Sequence, residues 1–524
     1  MTARRADPRV AAWLLGLLTV AALALRLWGL GASALLPDEG SSFYFSQLPL
    51  ATLLYALCDP HPPGYPLLLA AVTAFGRHET ILRLPSALAG TLAVPLTWAV
   101  GRAAMRPTAQ SGQRWPHQAA LLAAALVAFA PLAVWYSREA RPYALLSLLT
   151  LAMVWAGLRW RQQPGALMAG AFLLAGWLAL GIEYGALAVV VGLNLFMLSG
   201  WPGRGATGGR AVSDRRWLAL QTLLLAPFAL WWLFSAQRMA LAQMSYQAVF
   251  LAVQAQGLGL DWTPELARRV ILLAGAAAVA LGVALAVGVR QSARVRELLG
   301  SRWVAIALAA AVLALAVLGA LPRLYTVKRH LNALLPFVSI AAAWALLRVP
   351  SDRPGPGPAR RALAVAMPAV LAALSLAMLF SAPRPAWPQV VATLAAQARA
   401  GDAVWVDELD APVFAYYWER QMEDGSGPTA WQPLRAHDLD AIGRAGAGQR
   451  VWLAGSVTPY RDLSQTLPPD FAARRAPVQR FTWRDAALTA YDLSAAPQPA
   501  ADPPLALQWG LAIQSPLDVV CSGQ

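Results

Sequence analysis

Long apolar segments recur along the chain, and they restrict its possible folds more than any other feature. A helix needs about 20 mostly apolar residues to cross the hydrocarbon core of a membrane. About eleven segments come close to that length when charged residues, proline and glycine are taken as their limits. They cover residues 10–30, 84–104, 118–135, 143–158, 166–181, 185–200, 217–235, 268–289, 303–321, 331–348 and 362–381.

The composition agrees with a membrane protein. Hydrophobic residues make up 58% of the chain, charged residues make up 13%, and the mean hydropathy is +0.48. Soluble domains carry about twice that charged fraction. The first apolar segment also has features of a signal peptide, because arginines precede it and Ala32-Ser33-Ala34 resembles a cleavage site. Its length and the many later segments favour a membrane span, and we predict an all-α polytopic membrane domain over residues 1–381.

Arginine is concentrated in alternate connections between the apolar segments. Besides the N-terminus, the arginine-rich connections are residues 102–114, 159–161, 204–216, 290–302 and 348–361. Because basic loops stay on the cytoplasmic side, the N-terminus is predicted to be cytoplasmic, and an odd number of spans places the C-terminus outside. These loops account for most of the net charge of +15, which therefore does not indicate nucleic-acid binding.

After about residue 382 the apolar segments give way to shorter patterns. An amphipathic helix, a Gly-Asp turn and a strand are predicted in PRPAWPQVVATLAAQARAGDAVWVDELD, and RVWLAG, FTW and LTAYDL predict further strands. We predict a small extracytoplasmic α/β domain over residues 382–524, with a loosely ordered tail from Pro497. The two cysteines, Cys58 and Cys521, are interpreted as unpaired thiols, and no cluster of Cys and His predicts a metal site.

Two adjacent carboxylates, Asp38 and Glu39, follow the first predicted span. The predicted orientation places them outside, in a loop over residues 31–83 that contains two short apolar segments typical of interfacial helices. Between those segments, DPHPPGYP predicts a rigid turn. Adjacent acids at this position are also typical of solvated charge or of a helix cap.

Four basic residues lie in outer loops, where the distribution of arginine predicts few. They are Arg138 and Arg141 in WYSREARPY, and Lys328 and Arg329 in LPRLYTVKRH. Guanidinium groups bind phosphate oxygens bidentately, so we predict that these residues hold an anion at the outer interface. The alternative for the first two is an ion pair with Glu139 and contact with lipid headgroups.

Further candidates to orient substrate hydroxyls are His61, Tyr65, Tyr136 and Glu183. The position of His61 before two prolines is also typical of a turn. Glu183 separates two apolar segments, so it marks either a short outer turn or a functional acid at membrane depth. Arg26, near the end of the first span, is expected to extend to the membrane interface.

In their order along the chain, these features resemble family 39, the bacterial dolichyl-phosphate-mannose-protein mannosyltransferase-like enzymes that include the lipid A aminoarabinose transferases. The resemblance extends over about residues 10–345 and rests on the acidic pair, HPPGYPLLL, RLPSALAG, YSREARPYALLSLL and RHLNALLP. It implies a GT-C fold in the bacterial cytoplasmic (inner) membrane. It also implies an inverting hexosyl or pentosyl transferase that moves a sugar from a polyprenyl-phosphate donor to a protein, lipid or glycan hydroxyl at the outer face. Asp38 corresponds to the catalytic aspartate, with Glu39 beside it.

The chemistry of such a transfer fits the candidate residues. An acceptor hydroxyl needs a base, which Asp38 supplies, and Glu39 raises the proton affinity of that base or holds the loop. The departing lipid phosphate needs fixed cations, which the four basic residues supply. Some GT-C enzymes use a divalent metal, but beyond the two acids no ligand set is evident here, and we predict no cofactor.

Two other functions remain open. One is a transporter or flippase of polyprenyl-linked sugars, for which inverted repeats and broken helices are expected. Neither is evident in the sequence. The other is a structural or sensing membrane protein whose outer domain binds a partner, which leaves the acidic pair and the outer cations without a role.

Overall fold

The structure is a computed structural model of the chain. It describes residues 8–55, 61–104, 116–198, 214–231, 263–292, 329, 331–347, 357–381, 385–399, 402–407, 410–423, 431–434, 450–458, 461–462, 477–483 and 485–492. Several predicted features lie outside these described residues, namely the span 303–321, Lys328, Cys58, Cys521 and the tail from Pro497.

Helices account for most of the described residues. They are α1 (Pro8–Leu27), α2 (Pro37–Ser46), α3 (Leu50–Tyr55), α4 (Gly64–Thr73), α5 (Glu79–Ala104), α6 (Pro116–Phe129), α7 (Pro131–Tyr136), α8 (Tyr143–Gln162), α9 (Ala166–Ile182), α10 (Ala186–Leu198), α11 (Asp214–Trp231), α12 (Pro264–Gln291), α13 (Leu335–Leu347), α14 (Pro358–Ser381), α15 (Trp387–Gln397) and α16 (Ala411–Glu423). The strands are β1 (Ala403–Asp407), β2 (Trp431–Leu434), β3 (Arg450–Thr458), β4 (Arg461–Asp462), β5 (Pro477–Thr482) and β6 (Ala486–Asp492).

The chain divides into two compact units. Unit 1 comprises Met1–Leu30, Asp59–Tyr65 and Thr80–Ala382, and unit 2 comprises Gly31–Cys58, Pro66–Glu79 and Pro383–Gln524. The sequence predicts that the whole loop 31–83 belongs with the membrane domain. In the structure most of this loop groups with the C-terminal region, because α2 packs against α16.

Unit 1 contains the helices that correspond to the predicted spans. Every predicted span within the described residues overlaps at least one helix. Among the described residues, four helices are long and apolar enough to cross a membrane, namely Arg9–Leu27, Glu79–Ala104, Tyr143–Gln162 and Pro358–Phe380. These helices are those expected of a membrane protein, whereas the number of eleven spans stays a prediction.

The predicted span 118–135 is two helices rather than one. Ala130 has an extended backbone between them, with φ −65° and ψ 123°, and Pro131 is the first residue of α7. Proline has no N–H to donate to the preceding turn, so it fits the first position of a new helix and not the interior of a long one.

The core of unit 1 is built around α6, whose small side chains let other helices approach closely. Ala120, Ala123, Ala124 and Ala128 of α6 are fully buried. This helix packs against α1, α13 and α14.

Arg26 lies inside unit 1 and does not extend to the interface, so that expectation is wrong. Its side chain is 0% exposed. The guanidinium donates to Ser137 Oγ at 3.2 Å and to the carbonyl oxygens of Ala22 and Ala128, both at 3.1 Å. A Cβ at Gly90 would lie 1.9 Å from Ser137 Oγ, so the glycine makes room for this pair. Because the guanidinium of Arg26 has hydrogen-bond partners inside the helical core, it can be buried without contact with water.

Unit 2 contains a six-stranded mixed sheet, in which β2-β1-β3-β6-β5 are neighbours and β4 pairs with β3. β1 is parallel to β2 and β3, whereas β6 is antiparallel to β3 and β5. The helix and strands predicted from the sequence correspond to α15, β1, β3, β5 and β6. The sequence did not predict β2, β4 or α16. The described residues of the C-terminal region therefore have α/β structure.

Candidate active site

Glu39 caps the N-terminus of α2 in unit 2. The first helical residue is Pro37, and the backbone N–H of Leu36 donates to Glu39 Oε2 at 2.8 Å. In return, the Glu39 and Gly40 N–H groups donate to the Leu36 carbonyl at 2.9 and 3.0 Å. The Glu39 side chain is fully buried. A glutamate at the third helical position that accepts the cap N–H is half of a capping box, so Glu39 has the structural role that the sequence left open.

Asp38, the neighbour of Glu39, is partly exposed. It lies in the first turn of α2, where the partial positive charge of a helix N-terminus stabilises a carboxylate. Its backbone carbonyl accepts a hydrogen bond from Ser42 Oγ at 3.1 Å. Of the two acids, Asp38 is therefore the more exposed.

The structure brings two of the predicted cations together in unit 1. The guanidinium carbons of Arg141 and Arg329 lie 5.8 and 6.0 Å from the centroid of the Tyr143 ring. Both arginines are 6% exposed, and Arg141 Nη2 donates to the Tyr143 hydroxyl at 3.4 Å. Tyr136 packs edge-on against the same ring, with the centroids 5.1 Å apart. Two of the predicted cations are therefore buried beside the same aromatic ring, and Glu139, which lies between Arg138 and Arg141 in the chain, is also buried.

Asn332 holds the segment that carries Arg329 against α8. Its Nδ2 donates to the Tyr143 carbonyl at 3.2 Å and to Ser147 Oγ at 3.1 Å. Asn332 is not among the residues predicted from the sequence, although it lies within RHLNALLP. The signal was available, since a buried amide among apolar residues of a membrane protein needs a specific partner.

Arg138 bonds to the end of α1. It donates to the carbonyl oxygens of Leu25 at 3.2 Å, Arg26 at 2.9 Å and Gly29 at 3.2 Å. The last carbonyl groups of a helix have no partner within the helix. Arg138 supplies donors to these groups, and its predicted contact with an anion stays a prediction.

His61 and Glu183, predicted separately, meet in unit 1. His61 Nε2 lies 3.3 Å from Glu183 Oε2, and both side chains are largely buried. The close packing of Gly64 brings them together, because a Cβ at Gly64 would lie 2.4 Å from the Gly181 carbonyl oxygen. Glu183 thus lies between α9 and α10 and contacts His61.

Tyr65 is linked to the arginine pair through a serine. Its hydroxyl lies 3.3 Å from Ser86 Oγ, which donates to the Arg141 carbonyl at 3.0 Å. All three residues are buried. Tyr65 thus supports the backbone at Arg141, whereas Tyr136 supports the ring that Arg141 contacts. Among the described residues, no three His, Cys, Asp or Glu side chains are grouped to hold a metal ion.

Comparisons with known proteins bear on part of the chain. Two solved structures of ArnT from Cupriavidus metallidurans are similar to it, one in the apo state and one bound to undecaprenyl phosphate. Their TM-scores are 0.43 and 0.41 and their identities are 16% and 15%, and each alignment covers 93% of this chain and 100% of that chain. No curated protein matches the chain.

Residues 50–200 match the family described as "Protein O-mannosyl-transferase TMEM260 N-terminal domain". This interval contains HPPGYPLLL, RLPSALAG and YSREARPYALLSLL, three of the motifs on which the resemblance rests. The match therefore supports the predicted resemblance to mannosyltransferase-like membrane glycosyltransferases over this part of the chain. Asp38 and Arg329 lie outside the interval.

Proposed function

We propose that the chain is an inverting glycosyltransferase of the cytoplasmic membrane. It takes a sugar from a polyprenyl-phosphate donor and transfers it to an acceptor hydroxyl at the outer face. The observation that carries the proposal is that Arg141 and Arg329, both predicted to bind the donor phosphate, lie beside the same tyrosine ring, and guanidinium groups match phosphate oxygens. The family match over residues 50–200 supports the same class of reaction.

In the proposed reaction the acceptor oxygen attacks the anomeric carbon of the sugar. The bond between that carbon and the phosphate oxygen breaks, and its electron pair leaves with the lipid phosphate. Asp38 takes the proton of the acceptor hydroxyl as the new bond forms. One displacement inverts the anomeric configuration. Since phosphate is already a stable leaving group, the acid that a glycosidase needs for its leaving group is not required.

Arg141 and Arg329 meet the negative charge that develops on the departing phosphate. Fixed donors in a poorly hydrated site stabilise such charge strongly because they need no reorganisation during the reaction. Lys328, next to Arg329 in the chain, is proposed as a third cation. Arg138 is left out of this set because three carbonyl groups already engage its guanidinium.

His61, Glu183, Tyr65 and Tyr136 are proposed to serve the donor site. Glu183 orients the His61 imidazole, which then presents its other ring nitrogen to a sugar or phosphate oxygen. The two tyrosines act through Arg141 and the Tyr143 ring. These assignments rest on the contacts of the four residues in unit 1.

The proposal is tested with the full chain in proteoliposomes. The first donor is polyprenyl-phosphate mannose and the first acceptor a pool of serine- and threonine-containing peptides, because the matched family is a protein O-mannosyltransferase. The expected result is release of polyprenyl phosphate with a hexose added to peptide, and nuclear magnetic resonance of the product should give the anomer opposite to that of the donor. Sugar that crosses the bilayer without release of polyprenyl phosphate would instead show a transporter.

Two sets of variants test Asp38 as the base and Arg141 and Arg329 as residues that bind the donor phosphate. Asp38→Asn should lower kcat by about 100-fold or more, since general bases contribute at least that much, while donor binding persists. Glu419→Gln, a change of acid to amide at an exposed position of α16, is the matched control. Arg141→Met and Arg329→Met should raise the donor KM about tenfold, because each removes charged hydrogen bonds to phosphate. Arg268→Met, on the exposed surface of α12, should not change it.

A further inference from the structure

One face of α16 in unit 2 carries four side chains at helical spacing, Val413, Tyr416, Tyr417 and Arg420. Residues three and four apart lie above one another on a helix, so these four form a single stripe. Within unit 2, this stripe contacts the start of α2 and residues 77–79. The C-terminal region therefore supplies the surface on which the helix with Asp38 rests.

The contact between α2 and α16 is close enough to exclude a side chain at one position. A Cβ at Gly40 would lie 2.6 Å from Val413 Cα, which is backbone and cannot rotate away. Three residues further along α2, the Phe43 ring packs edge-on against Tyr416 with the centroids 5.1 Å apart. Gly40 and Phe43 thus fix the distance and the rotation of α2 on α16.

A hydrogen bond fixes the segment that enters α2. The Leu35 N–H donates to the Tyr417 hydroxyl at 2.7 Å, and this hydroxyl in turn donates to Glu79 Oε1 at 3.0 Å. Arg420 Nη1 donates to the same carboxylate oxygen, also at 3.0 Å. Burial raises the pKa of Tyr417, and the nearby Glu79 carboxylate raises it further, so the hydroxyl keeps its proton at neutral pH. Tyr417 can therefore accept and donate at the same time.

We propose that Tyr417 is a positioning residue for Asp38. Its hydroxyl, held by Glu79 and Arg420, fixes the Leu35 N–H and with it the start of the helix whose first turn carries Asp38. A displacement of about 1 Å in a reacting group can cost roughly 100-fold in rate, so a constraint three residues from the base affects catalysis. The inference rests on the proposed function, in which Asp38 is the base.

Tyr417→Phe is the test, because it removes the hydroxyl and keeps the ring. In the assay with polyprenyl-phosphate mannose and the peptide pool, kcat should fall about tenfold while the donor KM stays within twofold. Tyr44→Phe is the matched control, since Tyr44 lies on α2 with its side chain half exposed. It should leave kcat unchanged. A structural defect alone would lower the fraction of active enzyme and the Tm, so active-site titration with donor and a melting curve accompany both variants.

The Asp38→Asn background shows whether Tyr417 acts through Asp38. Tyr417→Phe should add no further loss to the residual rate of Asp38→Asn, because there is then no base to position. An equal tenfold loss in both backgrounds, or a kcat for Tyr417→Phe equal to that of the unmodified chain, would overturn the positioning role. A fully active Asp38→Asn would overturn the role of Asp38 as base and this inference together, whereas an inactive Asp38→Asn beside a fully active Tyr417→Phe would overturn this inference alone.

Discussion

In unit 1 and unit 2, charged side chains of opposite sign bond to opposite ends of helices. In unit 1, Arg26 and Arg138 donate to carbonyl groups, and Arg138 does so at the C-terminal end of α1. In unit 2, Glu39 accepts the N–H at the N-terminal end of α2. Every charged residue of unit 2 that is buried in the described part of the chain is an acid, namely Glu39, Asp402, Asp407 and Asp410.

A charged residue near a predicted membrane boundary can therefore bond to backbone groups at a helix end, or it can bind a ligand. Helix ends leave backbone groups without partners, and a charged side chain of suitable sign can bond to them. Arg138 and Arg141 are three residues apart, but Arg138 bonds to carbonyl groups of the chain and Arg141 lies with Arg329 on a tyrosine ring. The surroundings of each side chain therefore separate the capping by Arg138 from the phosphate binding proposed for Arg141.

The largest effect is expected at Arg26. Arg26→Ala removes a fully buried side chain and its hydrogen bonds to Ser137, Ala22 and Ala128. Loss of packing and of these bonds should destabilise unit 1 by about 3 kcal/mol or more. Arg268→Ala is the control, because its exposed ion pair with Glu265 is expected to contribute less than about 1 kcal/mol. Melting curves of the purified chain in detergent measure both, and equal Tm values would contradict the structural role of Arg26.

The buried Asp410 carboxyl makes the stability of unit 2 depend on pH. Burial raises the pKa of Asp410 to about 6, although hydrogen bonds from the Ser456 N–H at 2.7 Å and Oγ at 2.8 Å act in the opposite direction. An unfolded aspartate titrates near 4. Between these values the folded state keeps a proton that the unfolded chain has lost. The stabilisation is therefore complete below about pH 4 and is lost as the pH rises through about 6.

Asp410→Asn removes this dependence. One pKa unit corresponds to about 1.4 kcal/mol, so the stability of the unmodified chain relative to the variant should fall by roughly 2 kcal/mol between pH 4 and 7. Hydrogen exchange of peptides from β3 and α16 measures it within unit 2. A difference that does not change with pH would show that Asp410 keeps an ordinary pKa in the folded chain.

Asp402, in the same unit, is a control because its contribution to stability should change with pH in the opposite direction. Burial alone would raise the pKa of Asp402, but hydrogen bonds from Arg450, the Arg399 backbone and Trp452 outweigh it and lower the pKa. Its stabilisation is present above about pH 4 and is lost as the pH falls below that value. Asp402→Asn should therefore cost stability at pH 7 and less at pH 3.

A smaller effect is expected at Arg138. Arg138→Met removes three hydrogen bonds to the end of α1 and should cost about 1 to 2 kcal/mol in stability, while the donor KM stays within twofold. Arg141→Met provides the contrast, because its main effect is expected on the donor KM. If Arg138→Met raised the donor KM as much as Arg141→Met, Arg138 would belong to the phosphate site that the sequence predicts.

The sequence predicted the helices better than it predicted the partners of the charged residues. Apolar length is a local property, so the spans from α1 to α14 could be located wherever the chain is described, and alternation located β1, β3 and β6. The helix α16 was missed because its apolar run, residues 411–418, is too short for a span and is rich in aromatic residues, which are also typical of strands, yet this helix supports α2. Partners such as Ser137 for Arg26 or Tyr417 for Leu35 are more than a hundred residues away in the chain, so no local pattern could reveal them.

The smallest expected effect, at Glu39, decides between the two interpretations of the acidic pair. Glu39→Ala should cost about 1 kcal/mol because the cap is lost, whereas Glu39→Gln should cost little, since an amide oxygen can accept the same Leu36 N–H. If Glu39 serves only as a cap, Glu39→Gln keeps kcat within about threefold of the unmodified chain. If the charge of Glu39 instead raises the proton affinity of Asp38, removing that charge weakens the base, and kcat at neutral pH should fall at least tenfold without loss of stability. In that case the buried carboxylate at the start of α2 is part of the catalytic chemistry and not only a helix cap.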